Sequence, residues 1–342
     1  MASVRVIAEE AGVSIATVSR VLNNDPGVKG RTREAVLSVA NRVGYLRTRE
    51  RDMPHSIAFT YTQDRTLAHP FDAAVLEGAV RGAERARIDI MVLSLQRDKR
   101  QEESYTAFFQ RKGVRGVVLR TAAATRDICQ AIADEDFPHV VISDRFENPN
   151  VNFIDGDSKP ESLRAVEFLI ALGHRRIAFG MHNIPDRDHL DRCEAYREAL
   201  ERAGLAFDER LVFRQPATLA GGATIMTVLL NSPQRPSAIF LADPGLAVGA
   251  INKAHELGVR IPDDLSIVGF DDTDMRFGVH PTLSAVCQDA DVLGFEAARW
   301  LCSDEQTNGL RKIVPTYLEI NGSTGAVPGG NGRPANGKGI QT

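Results

Sequence analysis

The stretch Ser14–Asn23 carries hydroxyl, amide and guanidinium groups at a helical spacing. Its apolar residues fall on one face of a helix that Ser14 can cap: Ile15, Val18, Val21 and Leu22. Ala16 and Arg20 lie on the opposite face, which Thr17 and Asn23 flank. A small, polar and basic helical face of this kind fits the major groove of double-stranded DNA.

Two further predicted helices position this stretch. Before it, apolar residues at i, i+3, i+4 and i+7 predict a short helix that Ser3 can cap and Gly12 can end: Val4, Ile7, Ala8 and Ala11. After it, the same spacing predicts a third helix that ends at Gly44: Val36, Val39, Ala40 and Val43. Three short amphipathic helices also occur in structural caps and protein-docking modules, so periodicity alone leaves the function open.

Charge favours the DNA-binding interpretation. Residues 1–51 carry nine basic and five acidic side chains, whereas the whole chain has a net charge of −4. A basic head on an acidic body confines the attraction for phosphate groups to one end of the chain.

The residue order in this head resembles the headpiece of the lactose and galactose repressor (LacI/GalR) family. The resemblance covers VIAEEAGVSIATVSRVLN, which starts at Val6, then Thr32-Arg33-Glu34 and Gly44-Tyr45. It implies that Ile15, Ala16 and Arg20 meet base edges. It also implies a set of phosphate-binding residues: Ser14, Thr17 and Asn23. Because Ile15 and Ala16 carry no hydrogen-bonding side-chain group, we expect Arg20 to provide the polar base recognition.

A charged linker is predicted at residues 47–55, after a head that spans residues 1–46. Members of the family normally carry a hinge helix here, which inserts a leucine into the minor groove, but its characteristic residues are absent. Arg47 and Arg49 can instead follow phosphates or enter a narrow minor groove. A merely solvated, charged tether is the alternative.

The composition of the whole chain is that of a multidomain globular protein. Its 342 residues exceed one ordinary domain, and no apolar run approaches the length needed to span a bilayer. The four cysteines are far apart, and the N-terminus lacks the pattern of a secretory signal. We therefore expect a cytoplasmic protein with reduced thiols.

From Ser56 onward, strands alternate with helices in two series, which predicts two open α/β lobes with parallel sheets. This periplasmic-binding-protein-like body spans residues 56–324. The first lobe takes about 56–157 and 288–306, and the second takes about 158–287 and 307–324. A helix at Ala290–Leu301 and a strand at Val314–Ile320 cross between the lobes. The tail at 325–342 is rich in Gly, Pro and Asn and is expected to be disordered.

Ligands of such folds bind at the carboxyl ends of strands, here in the cleft between the lobes. The resemblance implies a small sugar-like effector there, and the expected contacts are Phe71, Arg120, Asp144, Arg145, Arg192, Asp243 and Asp271. Carboxylate and guanidinium groups suit the hydroxyls of a sugar, or of a carboxylated or phosphorylated relative. Asp271, in the run Gly269-Phe270-Asp271-Asp272, should face the ligand.

Each of these cleft residues has a structural alternative. The aspartates can cap helices or pair with Arg145 and Arg192, and Arg120 can form a surface ion pair. Ala195 stands where the family usually has glycine. Ala242 stands where it usually has asparagine, and Arg214–Gly221 lacks an aromatic residue that related proteins can place there. These last two departures favour an unusual or larger effector.

A metal or cofactor site is not expected. One cluster is rich in possible metal ligands: His182, Asp186, Asp188, His189 and Asp191. It falls at a loop and a predicted helix start, where aspartate is favoured as a cap, so capping is preferred over a metal. The chain contains no Ser/His/Asp or Cys/His constellation in a recognisable catalytic context.

The sequence therefore predicts a DNA-binding transcriptional regulator, most simply a repressor that is not an enzyme. A homodimer would read a near-palindromic operator, because one head can read only a half-site. Three alternatives remain: a two-lobed solute-binding protein, an enzyme of sugar or nucleotide metabolism with a regulatory head, and a partner-dependent regulator without a small-molecule effector.

Overall fold

The computed structural model describes residues 4–22, 25, 27–42, 55–62, 69–303 and 309–327. The chain divides into two compact units, residues 1–53 and 54–342. The predicted linker, with Arg47 and Arg49, falls outside the described residues except for His55.

The head contains three helices: α1 (Val4–Ala11), α2 (Ile15–Leu22) and α3 (Gly30–Arg42). Ser14 caps α2, since its Oγ accepts a hydrogen bond from the backbone N–H of Thr17 at 3.1 Å. Gly12 adopts the left-handed conformation that ends α1, with φ of +65°. The apolar stripes of the three helices form one buried core: Ile7, Ala8, Val18, Val21, Val36, Val39 and Ala40.

Two six-stranded sheets form the body. The strands are β1 (Ser56–Tyr61), β2 (Asp89–Ser94), β3 (Val114–Arg120), β4 (His139–Ile142), β5 (Phe153–Asp157), β6 (Ile177–His182), β7 (Val212–Gln215), β8 (Ala238–Leu241), β9 (Ser266–Asp271), β10 (Ser284–Cys287), β11 (Arg311–Pro315) and β12 (Tyr317–Glu319). The first sheet has the order β11-β5-β4-β3-β1-β2, and the second has β12-β10-β9-β8-β6-β7. Among the described strands, only the β10–β12 pairing is antiparallel.

Helices cover both faces of each sheet. They are α4 (Pro70–Glu84), α5 (Leu95–Asp98), α6 (Tyr105–Arg111), α7 (Arg126–Asp134), α8 (Lys159–Ala171), α9 (Arg187–Arg202), α10 (Leu219–Leu230), α11 (Pro244–Glu256) and α12 (Ala290–Cys302). On the first sheet, α4 and α12 bury one face, and α5 to α7 bury the other. On the second sheet, α10 and α11 oppose α8 and α9. Each sheet with its helices is one lobe, so two α/β lobes are present.

The boundary between the lobes differs from the predicted one. The structure divides the predicted strand Val314–Ile320 into β11, in the first sheet, and β12, in the second. The final crossing therefore lies at Thr316 instead of near residue 307. The Thr316 hydroxyl donates to the Asp157 carbonyl at 2.9 Å, which ties this crossing to the one that follows β5.

The first residues of the predicted disordered tail are ordered. The N–H of Gly325 donates to Ser266 Oγ at 3.0 Å, and the N–H of Val327 donates to the Leu172 carbonyl at 3.2 Å. The expected disordered tail therefore does not begin at Gly325, and residues 328–342 fall outside the described part of the chain. None of the helices described is both long and apolar enough to cross a membrane.

Candidate functional site

The head presents one face of α2 to solvent. Val18 and Val21 are buried, whereas Ala16 and Arg20 are exposed and Ile15 is 50% exposed. An isoleucine this exposed at the start of a helix is available for apolar contact with another molecule. The hydroxyls of Ser14 and Thr17 lie 2.9 Å apart at the same end of α2. Asn23 lies outside the described residues.

A cavity of about 760 Å³ lies at the carboxyl ends of strands from both lobes. The first lobe supplies side chains from the start of α4, the end of β3 and the residue after β4. The second supplies the ends of β6, β8, β9 and β10, the loop after β7, and α9. The polar, charged and aromatic lining includes His69, Phe71, Asp72, Arg120, Ser143, Asp186, Asp188, His189, Arg192, Asp243, Asp272 and Gln288.

Arg120 enters the cavity wall from the end of β3. Its Nε donates to Asp72 Oδ1 at 2.8 Å and its Nη1 to the Ile142 carbonyl at 3.0 Å. Its Nη2 lies 3.5 Å from Asp186 Oδ2 of the other lobe, and its guanidinium carbon lies 4.4 Å from the centroid of the Phe71 ring. Burial lowers the pKa of Arg120, but Asp72 and Asp186 outweigh burial and raise it above its ordinary value.

Arg192 reaches the cavity from α9. Its Nε donates to Ser158 Oγ at 3.1 Å and its Nη1 to the Ala242 carbonyl at 2.8 Å. The guanidinium lies over the Phe270 ring, with its carbon 3.5 Å from the ring centroid. Arg192 is therefore held rigidly from several sides and is 5% exposed.

His189 bridges two aspartates in the second lobe. Its Nδ1 lies 2.5 Å from Asp186 Oδ1, and its Nε2 lies 2.8 Å from Asp243 Oδ1. Burial lowers the pKa of His189, but the two carboxylates outweigh burial and raise it to about 10. The imidazole is therefore protonated at neutral pH and donates to both. The cluster that was considered for metal binding thus contains an ion-paired chain, in which Asp186 also caps α9 by accepting the His189 N–H at 3.2 Å.

Asp144 and Arg145 do not line the cavity, in contrast to their expected position. Asp144 Oδ2 accepts from Arg126 Nε at 3.0 Å, and burial raises the pKa of Asp144 to about 6. Arg145 lies 3.0 Å from Asp155 and also pairs with Asp191 on α9. Because the chain turns after β4, it is Ser143 that faces the cavity.

Asp271 also lies elsewhere than expected. It borders a separate cavity of about 390 Å³, where its Oδ2 lies 2.7 Å from Arg276 Nη1 and its Oδ1 accepts the Met275 N–H at 3.0 Å. Its neighbour Asp272 lines the larger cavity and accepts from Gln288 Nε2 at 2.9 Å. Asp272, which follows β9, lines both cavities, whereas Asp271, the last residue of β9, lines only the smaller one.

Several buried polar atoms of the cavity lining have no hydrogen-bond partner among the described residues: His69 Nδ1, Asp72 Oδ2, Ser143 Oγ, Asp243 Oδ2 and Gln288 Oε1. Leaving such atoms unpaired is costly, so a cavity that gathers several of them is typical of a ligand site. Sequence reasoning did not select His69, Asp72 or Gln288. For Asp72, the available signal was its place in the first turn of the helix that follows β1.

Family comparison agrees with both parts of this architecture. Residues 4–48 match the model of bacterial regulatory proteins of the lacI family, and residues 166–324 match that of the periplasmic binding protein-like domain. The HTH-type transcriptional regulator DegA of Bacillus subtilis is 29% identical over 335 residues, which is 93% of this chain and 96% of DegA. Catabolite control protein A of Priestia megaterium is 28% identical and covers 93% of this chain and 98% of its own length.

A solved structure extends the similarity to three dimensions. The structure titled transcriptional regulator CelR-cellobiose complex superposes with a TM-score of 0.67 at 27% identity, covering 94% of this chain and 100% of that one. A three-helix DNA-binding head joined to a two-lobed α/β body defines a transcriptional regulator. The match of its head to the lacI-family model and these relatives identify the chain as a transcriptional regulator.

Proposed function

We propose that this regulator is a repressor whose affinity for its operator is set by a sugar-like effector in the cleft between the lobes. The cavity at the strand ends carries the proposal, because both lobes line it and its volume of about 760 Å³ suits a small-molecule ligand. The solved relative whose title names cellobiose supports a sugar as the ligand class. The protein works in the cytoplasm, uses no cofactor and catalyses no reaction.

The proposed DNA contacts come from the exposed face of α2. Ile15 and Ala16 meet apolar base edges such as thymine methyl groups, and Arg20 donates hydrogen bonds to a base. Ser14 and Thr17 bind phosphates. The remaining proposed contacts lie outside the described residues: Asn23, Arg47 and Arg49. A homodimer carries two heads to the two halves of a near-palindromic operator.

The proposed effector contacts are those that the cavity gathers. Phe71, Arg120, Arg192 and Asp243 line it, and Asp272 takes the place first assigned to Asp271. Asp144 and Arg145 support the site from behind through ion pairs with Arg126 and Asp191. An effector that contacts both lobes binds their closed arrangement better than an open one, and this difference in affinity is what can change operator binding.

Fluorescence anisotropy of a labelled operator tests this proposal. A panel of monosaccharides and disaccharides is titrated into the complex of the full-length protein with its selected duplex. We expect at least one sugar to change operator affinity by about 5- to 150-fold, the usual size of allosteric coupling. The Phe71→Ala variant should lose the response, whereas Val80→Ala should keep it, because Val80 lies on the same helix but is 53% exposed. No response to any sugar would contradict the proposed effector.

A further inference from the structure

The two arginines of the cleft are already engaged by the protein. Arg120 is held by Asp72, Asp186 and the Ile142 carbonyl. Arg192 is held by Ser158 and the Ala242 carbonyl, and its Nη2 lies 3.6 Å from Asp188. His189 donates both of its ring N–H groups to aspartates. Each of these cations therefore already has an ion-pair or hydrogen-bond partner in the protein.

Carboxyl groups outnumber cations in the same lining. The carboxyl groups belong to Asp72, Asp186, Asp188, Asp243 and Asp272. The side chains that carry positive charge at neutral pH are Arg120, Arg192 and His189. Asp72 Oδ2 and Asp243 Oδ2 are buried acceptors without a hydrogen-bond partner in the described part of the chain. The lining therefore contains buried acceptors without a protein partner and more carboxyl groups than cationic side chains.

Asp272 is one of two carboxyl groups in this lining whose pKa is raised. Burial raises the pKa of Asp272 to about 7, and the neighbouring carboxyls of Asp271 and Asp243 add to the increase against the opposing effect of Arg192. Burial also raises the pKa of Asp188 well above its ordinary value, with Asp155 and Asp186 adding to it. A cation placed beside Asp243 and Asp272 would stabilise their charged forms.

We infer that the cleft takes a polyhydroxylated ligand that carries a protonated amine, an amino sugar, and discriminates against carboxylated and phosphorylated sugars. This inference rests on the proposed function, since it specifies the ligand of the same site. The ammonium group binds between Asp243 and Asp272. Ser143 Oγ and Gln288 Oε1 accept hydrogen bonds from hydroxyl groups. Ile184 and Leu219, about half exposed and part of the same lining, contact the apolar faces of the sugar rings.

Three β-1,4-linked disaccharides of similar shape provide the test: diglucosamine, cellobiose and diacetylchitobiose, which carry an amine, a hydroxyl and an acetamide at the second carbon. Titration calorimetry with the full-length protein, below the pKa of the glucosamine amine, measures each affinity. The panel is extended with glucosamine, glucose, gluconate and glucose 6-phosphate. We expect the amine-bearing member to bind about ten- to a hundredfold more tightly than its neutral counterpart, the usual worth of a charged hydrogen bond, and the anionic members to bind most weakly.

Two variants test whether Asp272 is responsible for the preference for an amine. Asp272→Asn should remove the advantage of the amine over the neutral sugar, because asparagine can still accept the hydrogen bond from Gln288 but carries no charge. Asp274→Asn is the matched control, since Asp274 lies two residues away, is 75% exposed at its side chain and does not line the cleft. It should leave the preference unchanged.

The possible outcomes separate this inference from the proposed function. Equal or tighter binding of the neutral or anionic sugars overturns the amine preference but keeps a sugar effector. If the Asp272→Asn variant keeps the amine preference, the ammonium group does not bind beside Asp272. If no member of the panel binds, both the sugar effector and this inference are rejected.

Discussion

His189 connects two carboxylates in the wall of the cleft, and its protonation is part of the stability of the second lobe. Its Nδ1 and Nε2 lie within hydrogen-bonding distance of Asp186 and Asp243. The pKa of the folded-state imidazole is about 10, above the 6.5 of a free histidine. A raised histidine pKa contributes stability that is complete below pH 6.5 and is lost as the pH rises through 10.

The His189→Gln variant should therefore be less stable than the parent at pH 7, and the difference in unfolding free energy should shrink toward pH 10. Linkage sets an upper limit of about 5 kcal/mol on this change. Urea denaturation across the pH range measures it. His255→Gln is the matched control, because His255 is exposed near the end of α11. A difference that stays constant from pH 7 to pH 10 would show that the imidazole is not held as a cation.

Arg20 is the second residue on which the proposed function depends. We predict that Arg20→Ala weakens binding to the selected operator by about 1–3 kcal/mol, because it removes a base contact, and largely spares binding to random duplex. The control is Arg31→Ala, which removes one positive charge from an exposed position on α3. It should weaken binding to both duplexes by the same factor. Filter binding at fixed salt compares the four affinities. Equal losses for Arg20→Ala on both duplexes would exclude base recognition by Arg20.

At the scale of elements, glycines set how closely the helices of each lobe approach. A Cβ at Gly294 in α12 would lie 1.8 Å from the Val75 carbonyl oxygen of α4, and one at Gly249 in α11 would lie 2.0 Å from the Leu219 carbonyl oxygen of α10. These pairs of helices bury one face of each sheet. The glycines therefore allow backbone contact that positions the helix starts, including Phe71 and Asp72, at the cleft.

We predict that Gly294→Ala destabilises the body by about 1–3 kcal/mol or more, because the added methyl group forces α12 away from α4. Chemical denaturation measures the loss. Gly278→Ala provides the control, since a Cβ at that position meets nothing within 4 Å, and it should change stability by much less. Equal stability of the two variants would mean that the packing of α4 on α12 tolerates the methyl group.

Sequence patterns predicted the long, strongly periodic elements well. The three head helices lie at their expected positions, and the strands and helices of the body alternate to form two mainly parallel sheets as expected. The strands β5 and β10 were not predicted; β5 ends in Asp155-Gly156-Asp157, a run that is typical of a turn. The division of Val314–Ile320 into β11 and β12 was also missed, since a continuous extended run does not show which sheet each half joins.

The sequence predicted the location of the cleft better than it predicted which residues line it. Strand ends correctly indicated where a cleft would form, and Phe71, Arg120, Arg192 and Asp243 line the cavity. The sequence favoured Asp271 over Asp272, because it does not show which of the two reaches the larger cavity. The role of His189 also required the fold, since its partner Asp243 is 54 residues away.

At the scale of the whole molecule, ion pairs join the two lobes beside the cleft. Arg145 of the first lobe contacts Asp155 and Asp157 of its own sheet and Asp191 on α9 of the second. Asp191 also forms an ion pair with Arg187, with the two side-chain atoms 2.9 Å apart. Asp191 is buried, with 2% of its surface exposed. Neutralising its carboxylate removes the ion pair that Arg145 makes with the second lobe.

We predict that Asp191→Asn shifts the lobes toward an open arrangement, which raises the radius of gyration of the full-length protein and weakens effector binding about tenfold. Small-angle X-ray scattering measures the first effect, and calorimetry with the best-binding sugar measures the second. Asp208→Asn, which breaks ion pairs within the second lobe, is the control and should change neither. An unchanged radius in Asp191→Asn would mean that these ion pairs do not control closure.

The central claim is that the full-length protein reads a specific operator as a dimer, and selection from a pool of random duplex DNA tests it most directly. The purified protein retains bound duplexes, which are sequenced after several rounds. We predict enrichment of one near-palindromic sequence, with half-sites spaced for two heads. If a protein that is folded by circular dichroism enriches no sequence, it does not recognise an operator by itself, and regulation would require a partner protein.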